Sequence, residues 1–143
     1  MGDLHSFEKI LKRWINIIDP KIVLEWGPGR NTEIFQETDA EIISIEHNKE
    51  WYKKAQKYNS DVKQIPIKLN TDYATRPLLK DWGKFDIVFV DGRRRVECCL
   101  VAKRLLKEGG VVMLHDSNRN NYRKVIDRYI DIIEEKDDTL IFR

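Results

Sequence analysis

The sequence has few cysteines and no long apolar run. Its two cysteines, Cys98 and Cys99, are adjacent, and neighbours cannot form an unstrained disulfide, because the Cα atoms of a disulfide lie about 5.5 Å apart on separately placed chain. We therefore expect buried thiols. No apolar run approaches the roughly 20 residues that a membrane-spanning helix needs, and Asp3 and Glu8 lie where a signal peptide has a basic flank and an apolar core. These observations predict a cytosolic protein with no membrane partner.

The sequence also lacks an excess of charge of either sign. Its 26 Lys and Arg residues against 24 Asp and Glu residues leave a formal net charge of +2. Nucleic-acid-binding domains usually carry a clear basic excess, so no nucleic-acid partner is expected. Repeats, low-complexity tracts and linkers are absent from the 143 residues. We expect one domain over residues 1–143, without a cap or lid domain.

Short apolar runs alternate with segments of helical periodicity. The runs predict strands over 22–24, 41–46, 62–69, 85–90 and 111–114, with a hairpin over 132–142. The periodic segments predict helices over 7–18, 32–37, 48–58, 75–82, 96–108 and 122–130. Because the strands are apolar throughout, they are typical of a parallel sheet with helices on both faces. The sequence therefore predicts a doubly wound α/β fold.

Polar residues follow each predicted strand, where ligands bind in doubly wound sheets. Gly27 and Gly29 form a turn after the first strand, and Glu46 at the end of the second strand can accept the two hydroxyls of a ribose. The structural alternative for Glu46 is a solvated strand end. Thr32 stands where a dinucleotide fingerprint has its third glycine, and Glu25 suits the amino group of an amino-acid cofactor better than a pyrophosphate. These features favour S-adenosylmethionine over NAD.

Four motifs resemble those of class I S-adenosylmethionine-dependent methyltransferases, and they look most like motifs of small-molecule and sugar O-methyltransferases. They are 24–29 (LEWGPG), 45–47 (IEH), 89–93 (FVDGR) and 109–116 (GGVVMLHD). The resemblance implies a Rossmann-like sheet of about seven strands, mostly parallel, that ends in an antiparallel hairpin. It also implies that Gly27 and Gly29 line the methionine part of the cofactor, that Glu25 meets its amino group and that Asn70 or Asp72 lies near the adenine. The expected cofactor-binding residues are Glu25, Trp26, Gly27, Pro28, Gly29, Thr32, Glu46, His47, Asn70, Asp72, Asp91 and Gly92.

The ends of the fourth and fifth strands carry the residues expected to be catalytic. His115 is suited to take the proton of an attacking hydroxyl, because an imidazole titrates near neutral pH. In a second arrangement, a Mg²⁺ ion lowers the pKa of that hydroxyl. Its ligands would be Asp91 and Asp116, with an oxygen of Ser117 or Asn118. The alternatives are a structural histidine and carboxylates that bind nearby backbone or cofactor groups.

The expected acceptor is a sugar or another small polar molecule, including a glycan. Arg93 and Arg94 would pair with an acidic group on it, and Asn118 would contact it; the alternative for the arginines is a solvated helix start. Since a short chain leaves no room for a cap, the acceptor pocket is expected to be shallow, to be completed by another subunit, or to form on a large acceptor such as a polysaccharide or a protein. Of these, a homo-oligomer is favoured. The rival functions are a non-catalytic cofactor-binding scaffold and, disfavoured by Thr32 and Glu25, a dehydrogenase.

Overall fold

The computed structural model describes residues 6–67, 71–117, 120–136 and 138–143. Helices and strands alternate along most of the chain, as the apolar pattern predicts. In chain order they are α1 (Ser6–Ile18), β1 (Ile22–Trp26), α2 (Arg30–Phe35), β2 (Glu41–Glu46), α3 (Lys49–Ala55), β3 (Asp61–Gln64), α4 (Arg76–Leu79), β4 (Phe85–Val90), α5 (Arg95–Arg104), β5 (Leu106–His115), α6 (Asn120–Ile126), β6 (Ile132–Lys136) and β7 (Thr139–Phe142).

The seven strands form one sheet in the order β3-β2-β1-β4-β5-β7-β6. Strands β1 to β5 pair in parallel, whereas β7 is antiparallel to both β5 and β6. The predicted doubly wound sheet with a C-terminal antiparallel hairpin is confirmed. Since the winding reverses on either side of β1, a crevice opens at the carboxyl ends of β1 and β4, the usual ligand site of such sheets.

Successive residues of the central strands face two separate apolar cores. Val23 and Ile87 pack with the apolar side chains of α1 and α2 on one face, whereas Leu24 and Val88 pack with those of α5 on the other. Alternation along each strand therefore supplies both cores, because neighbouring side chains point to opposite faces of a sheet. The prediction of helices on both faces is confirmed.

Helix α5 ends earlier and β5 begins earlier than predicted. The expected helix over 96–108 is wrong at its C-terminal end, since α5 stops at Arg104 and β5 starts at Leu106. The Phe85 amide donates to the Leu105 carbonyl at 2.7 Å, and Leu106 pairs with Phe85 in the parallel ladder. The residues just before Gly109 and Gly110 thus belong to the sheet. The two glycines lie inside β5 and do not end a helix.

Four other predicted elements are longer than those observed. The predicted helices over 48–58 and 122–130 extend beyond the ends of α3 and α6, at Ala55 and Ile126. Helix α4 covers only residues 76–79 of the predicted 75–82. Strand β3 ends at Gln64, residues 65–67 form no strand, and residues 68 and 69 of the predicted strand lie outside the described part of the chain. The site therefore depends mainly on the long central strands.

Both cysteines are fully buried on α5 and neither forms a disulfide, so the prediction of buried thiols is confirmed. Burial raises the pKa of the Cys99 thiol to about 12, which keeps it protonated and unreactive at neutral pH. Within the described ranges, no helix combines the length and the apolar character needed to cross a membrane.

Candidate functional site

A cavity of about 1040 Å³ opens at the carboxyl ends of the central strands. Its walls come from the first turn of α1, the turn after β1, the end of β2, α3, the segment before α4, the segment after β4 with the start of α5, and the end of β5. We call it the central cavity. Its lining residues are Phe7, Gly27, Pro28, Gly29, Arg30, Asn31, Glu46, His47, Trp51, Tyr73, Asp91, Gly92, Arg93, Arg94, Arg95, Val96, Glu97 and His115.

The glycine turn after β1 packs directly against the end of β4. Gly27 has a φ of 87°, and a Cβ on it would lie 2.5 Å from the carbonyl oxygen of Asp91. Its amide donates to the Ile45 carbonyl at 3.0 Å, and the Gly29 amide donates to the Thr32 hydroxyl at 2.9 Å. Only glycine fits at position 27, because both the left-handed backbone and the close approach exclude a side chain. The turn is therefore fixed at the junction of three strands.

Glu25 lies behind this turn and is completely buried. Its carboxylate accepts hydrogen bonds from the Asn31 amide at 2.8 Å, from the Ser44 hydroxyl at 2.6 Å and from the Thr32 hydroxyl. Burial raises its pKa to about 7; the hydrogen bonds from Ser44, Thr32 and Asn31 offset part of this rise, and the charge of Asp91 adds to it. Glu25 therefore braces the turn and does not line the central cavity.

Two other residues expected to contact the cofactor also lie behind the cavity wall. Trp26 is fully buried, and its indole N–H donates to the Tyr73 carbonyl at 3.0 Å. Thr32 is fully buried between Glu25 and the Gly29 amide. Their side chains support the wall, whereas Pro28 and the two glycines line it as expected.

Glu46 reaches the central cavity with one carboxylate oxygen uncommitted. Its Oε2 accepts from the Asn48 amide at 2.9 Å and lies 3.2 Å from Nδ1 of His47. Among the described residues, no group donates a hydrogen bond to Oε1, although the residue as a whole is only 7% exposed. Both Glu46 and His47, which are predicted to bind the cofactor, line the cavity. A polyol at this point would find an oriented acceptor.

The two residues expected near an adenine have different outcomes. Asp72 does not line the cavity; its Oδ1 accepts from Nη2 of Arg76 at 2.8 Å, and this hydrogen bond lowers its pKa. Asn70 lies outside the described residues. Tyr73, one position beyond Asp72, lines the cavity instead.

Asp91 and His115 face each other across the ends of β4 and β5. Nδ1 of His115 lies 3.2 Å from Oδ1 of Asp91, and Nη2 of Arg95 donates to the same oxygen at 3.0 Å. Arg95 also donates to the carbonyls of Gly92, at 3.1 Å, and His115. Burial lowers the pKa of His115, but the hydrogen bond and charge of Asp91 and the charge of Asp116 outweigh it, so the net shift is upward.

The ligand atoms of Asp91, His115 and Asp116 lie within 4.8 Å of one another. This set differs from the predicted magnesium ligands, which were Asp91 and Asp116 with an oxygen of Ser117 or Asn118, and it does not fit Mg²⁺. Mg²⁺ prefers six oxygen ligands, whereas here one ligand is an imidazole, and Oδ1 of Asp91 already accepts from a guanidinium cation. A dication would have to displace or repel Arg95, so we derive no catalytic step through magnesium.

The predicted acceptor-binding residues Arg93 and Arg94 both line the cavity, and both are exposed. The third, Asn118, lies outside the described residues.

Several lining residues were not predicted as site residues. Asn31 follows the glycine turn by two positions, and Arg95 adjoins predicted Arg94, so sequence proximity was a usable signal for both. Phe7, whose ring centroid lies 4.8 Å from that of His115, comes from the first helix and gave no such signal. Trp51 of α3 lines the cavity while it is 58% exposed, with Lys54 over its ring.

The fold is shared with solved methyltransferase structures, although no protein-family model and no curated protein matches the sequence. A methyltransferase-like protein from Silicibacter pomeroyi has a TM-score of 0.78 at 16% identity, over 99% of this chain and 86% of that one. An O-methyltransferase from Bacillus cereus in complex with S-adenosylhomocysteine has a TM-score of 0.74 at 15% identity, over 99% and 82%. A Podospora anserina methyltransferase, also bound to S-adenosylhomocysteine, has a TM-score of 0.73 at 16% identity, over 100% and 79%. The chain thus shares its fold with these methyltransferase structures.

Proposed function

We propose that the chain is an S-adenosylmethionine-dependent O-methyltransferase, and that its acceptor is a sugar or another small polar molecule. One observation carries the proposal. A single cavity brings together a fixed glycine turn, an uncommitted oxygen of Glu46 and a histidine held by a carboxylate. The first two features suit a nucleoside with an amino-acid part, and the third suits removal of a proton from a hydroxyl.

The residues present fit the cofactor. Glu46 lines the cavity, its Oε1 has no donor among the described groups, and a ribose hydroxyl would supply one. Small-molecule pockets have volumes of about 300 to 1,000 Å³, so a cavity of about 1040 Å³ has room for a cofactor and a small acceptor. The likeness to solved structures that contain S-adenosylhomocysteine supports the same choice. That Glu25 meets the amino group of the cofactor remains a prediction.

S-adenosylmethionine would supply an electrophilic methyl group on a sulfonium. The chain has to orient the acceptor hydroxyl and take its proton. Because Nδ1 of His115 is directed to Asp91, Nε2 is left with the lone pair that accepts this proton. Asp91 then stabilises the imidazolium that forms, as the carboxylate does in other histidine-carboxylate pairs. His115 is therefore the proposed general base and Asp91 its positioning partner.

The test is calorimetric titration of the protein with S-adenosylmethionine, S-adenosylhomocysteine and NAD. We expect the first two to bind and NAD not to bind. Glu46→Ala should weaken binding of S-adenosylhomocysteine by about 10- to 150-fold, because a hydrogen bond to a charged group contributes roughly 1.5 to 3 kcal/mol. Glu41→Ala, at the exposed start of the same strand, is the matched control and should leave the affinity unchanged.

The proposal fails if none of the three ligands binds, which would favour a scaffold role. It also fails if NAD binds in preference, which would favour a dehydrogenase. Equal loss of affinity in Glu41→Ala and Glu46→Ala would overturn the ribose assignment.

A further inference from the structure

Three consecutive arginines border the central cavity, and the structure gives their guanidinium groups different surroundings. Arg95 is only 13% exposed in its side chain and is bound to Asp91 and to the carbonyls of Gly92 and His115. Arg94 pairs with Glu97 at 3.2 Å. These two cations are therefore already engaged by the protein itself.

Arg93 differs from both of its neighbours. It is exposed and lines the cavity, and no described residue provides a hydrogen bond or an ion pair to its guanidinium. Its backbone, in contrast, is held on both sides. Its amide donates to the Tyr73 hydroxyl at 3.1 Å, and its carbonyl accepts from the Cys98 thiol at 3.4 Å. A fixed backbone thus presents to the cavity a positive charge that no described residue compensates.

The fourth arginine among the described lining residues is Arg30, at the start of α2. Its guanidinium pairs with Glu8 at 2.7 Å and with Glu33 at 2.8 Å. Within the described ranges, the other arginines of the cavity are thus neutralised by nearby carboxylates, and Arg93 is the cation left for a ligand. An arginine paired with a carboxylate or phosphate forms strong, directional hydrogen bonds.

We propose that Arg93 binds an anionic group of the methyl acceptor, so that the acceptor is a hydroxyl compound that carries a carboxylate or a phosphate. This inference rests on the proposed function and adds the substrate class to it. Arg93 follows Asp91 by two residues, so their Cα atoms are at most about 7 Å apart. A small molecule can therefore place its anion at Arg93 and its hydroxyl near the Asp91–His115 pair.

The test compares matched ligands by calorimetry on protein saturated with S-adenosylhomocysteine. One pair is 3,4-dihydroxybenzoate and its neutral amide, and the other is glucose 6-phosphate and glucose, so that the two pairs separate a carboxylate from a phosphate. We expect the anionic member of at least one pair to bind about 10- to 100-fold more tightly than its neutral partner, the range for a charge-assisted hydrogen bond.

Arg93→Gln should bring this ratio close to one, and Arg93→Lys should restore part of it. Arg94→Gln should reduce the ratio less, since its guanidinium is already paired with Glu97. Arg104→Gln, at the far end of α5 and outside the cavity lining, is the matched control. Circular dichroism spectra should be the same for all four variants.

Three results would overturn the inference. The first is that the wild-type protein shows no preference for the anionic ligand, and the second is that this preference persists in Arg93→Gln. The third is that Arg93→Gln loses affinity for S-adenosylhomocysteine, because that loss would assign the guanidinium to the carboxylate of the cofactor. If wild-type protein does not bind S-adenosylhomocysteine at all, the proposed function fails as well. Cofactor binding without anion preference overturns this inference alone.

Discussion

Replacing Glu25 by Gln should change how stability depends on pH. Glu25 is completely buried, and its carboxyl has a pKa of about 7 in the folded protein, against an ordinary value of 4.5. Burial is the main cause, because it penalises the charged form. Between pH 4.5 and 7 the folded state therefore binds more protons at this site than the unfolded state does. The contribution of Glu25 to the free energy of unfolding is then greatest below pH 4.5 and is lost as the pH rises through 7.

The size of the effect follows from the shift in pKa. A rise from 4.5 to about 7 corresponds to about 3 kcal/mol, since each pKa unit is worth about 1.4 kcal/mol. Gln has no proton to lose in this range, and it resembles the protonated carboxyl in shape. The free energy of unfolding of Glu25→Gln, relative to that of the wild type, should therefore increase by about 3 kcal/mol between pH 4.5 and pH 8.

The assay is urea denaturation of both proteins at half-unit steps from pH 4.5 to 8, with the difference plotted against pH. Subtracting the two curves removes the titration of all other groups. Glu25→Gln also alters the hydrogen bonds from Asn31, Thr32 and Ser44. This change shifts the difference in unfolding free energy between the two proteins by a constant and does not alter how that difference depends on pH. Glu41→Gln, at an exposed position of β2, should give a flat difference. A flat difference for Glu25→Gln as well would refute the reasoning.

Three further expectations concern the cavity. His115→Ala should abolish methyl transfer while leaving the affinity for S-adenosylhomocysteine within about twofold. In the wild type, turnover should rise with pH as His115 loses its proton. Normal turnover in the variant would exclude His115 as the base. Gly27→Ala should cost at least about 1 kcal/mol more than Gly83→Ala in thermal denaturation, since both have a positive φ but only Gly27 lacks space for a Cβ. EDTA and added Mg²⁺ should leave cofactor affinity and turnover unchanged, and a loss of either with EDTA would restore a metal role for Asp91 and Asp116.

The sequence was sufficient to predict where the central cavity lies. Apolar runs predict parallel strands, and the carboxyl ends of parallel strands meet at one edge of the sheet, so the polar residues that follow them must be neighbours. The glycine turn, Glu46, Asp91 and His115 all border the central cavity for this reason. Periodicity was less informative for short elements such as α4 and β3, whose lengths depend on contacts with the rest of the chain.

Which way a polar side chain faces could not be predicted in the same manner. Glu25 turns inward because the register of the sheet pairs it with Ser44, which is 19 residues further along the chain. Phe7 reaches His115 because α1 packs on the face of the sheet formed by β4 and β5, across more than a hundred residues of sequence. No local pattern reports such contacts, since they depend on how distant segments pack.

The run Arg93-Arg94-Arg95 shows that the sequence alone does not predict which groups neighbouring identical side chains contact. Arg95 begins α5, and its distance of four positions from Asp91 allows the two side chains to meet as an ion pair. Arg94 has a φ of 48°, outside the helical range, and its guanidinium meets Glu97. Because the backbone changes direction at this point, each of the three side chains leaves it differently. Three identical residues thus have different surroundings: Arg95 braces the Asp91–His115 pair, Arg94 forms an ion pair at the cavity rim, and Arg93 has no ionic partner among the described residues.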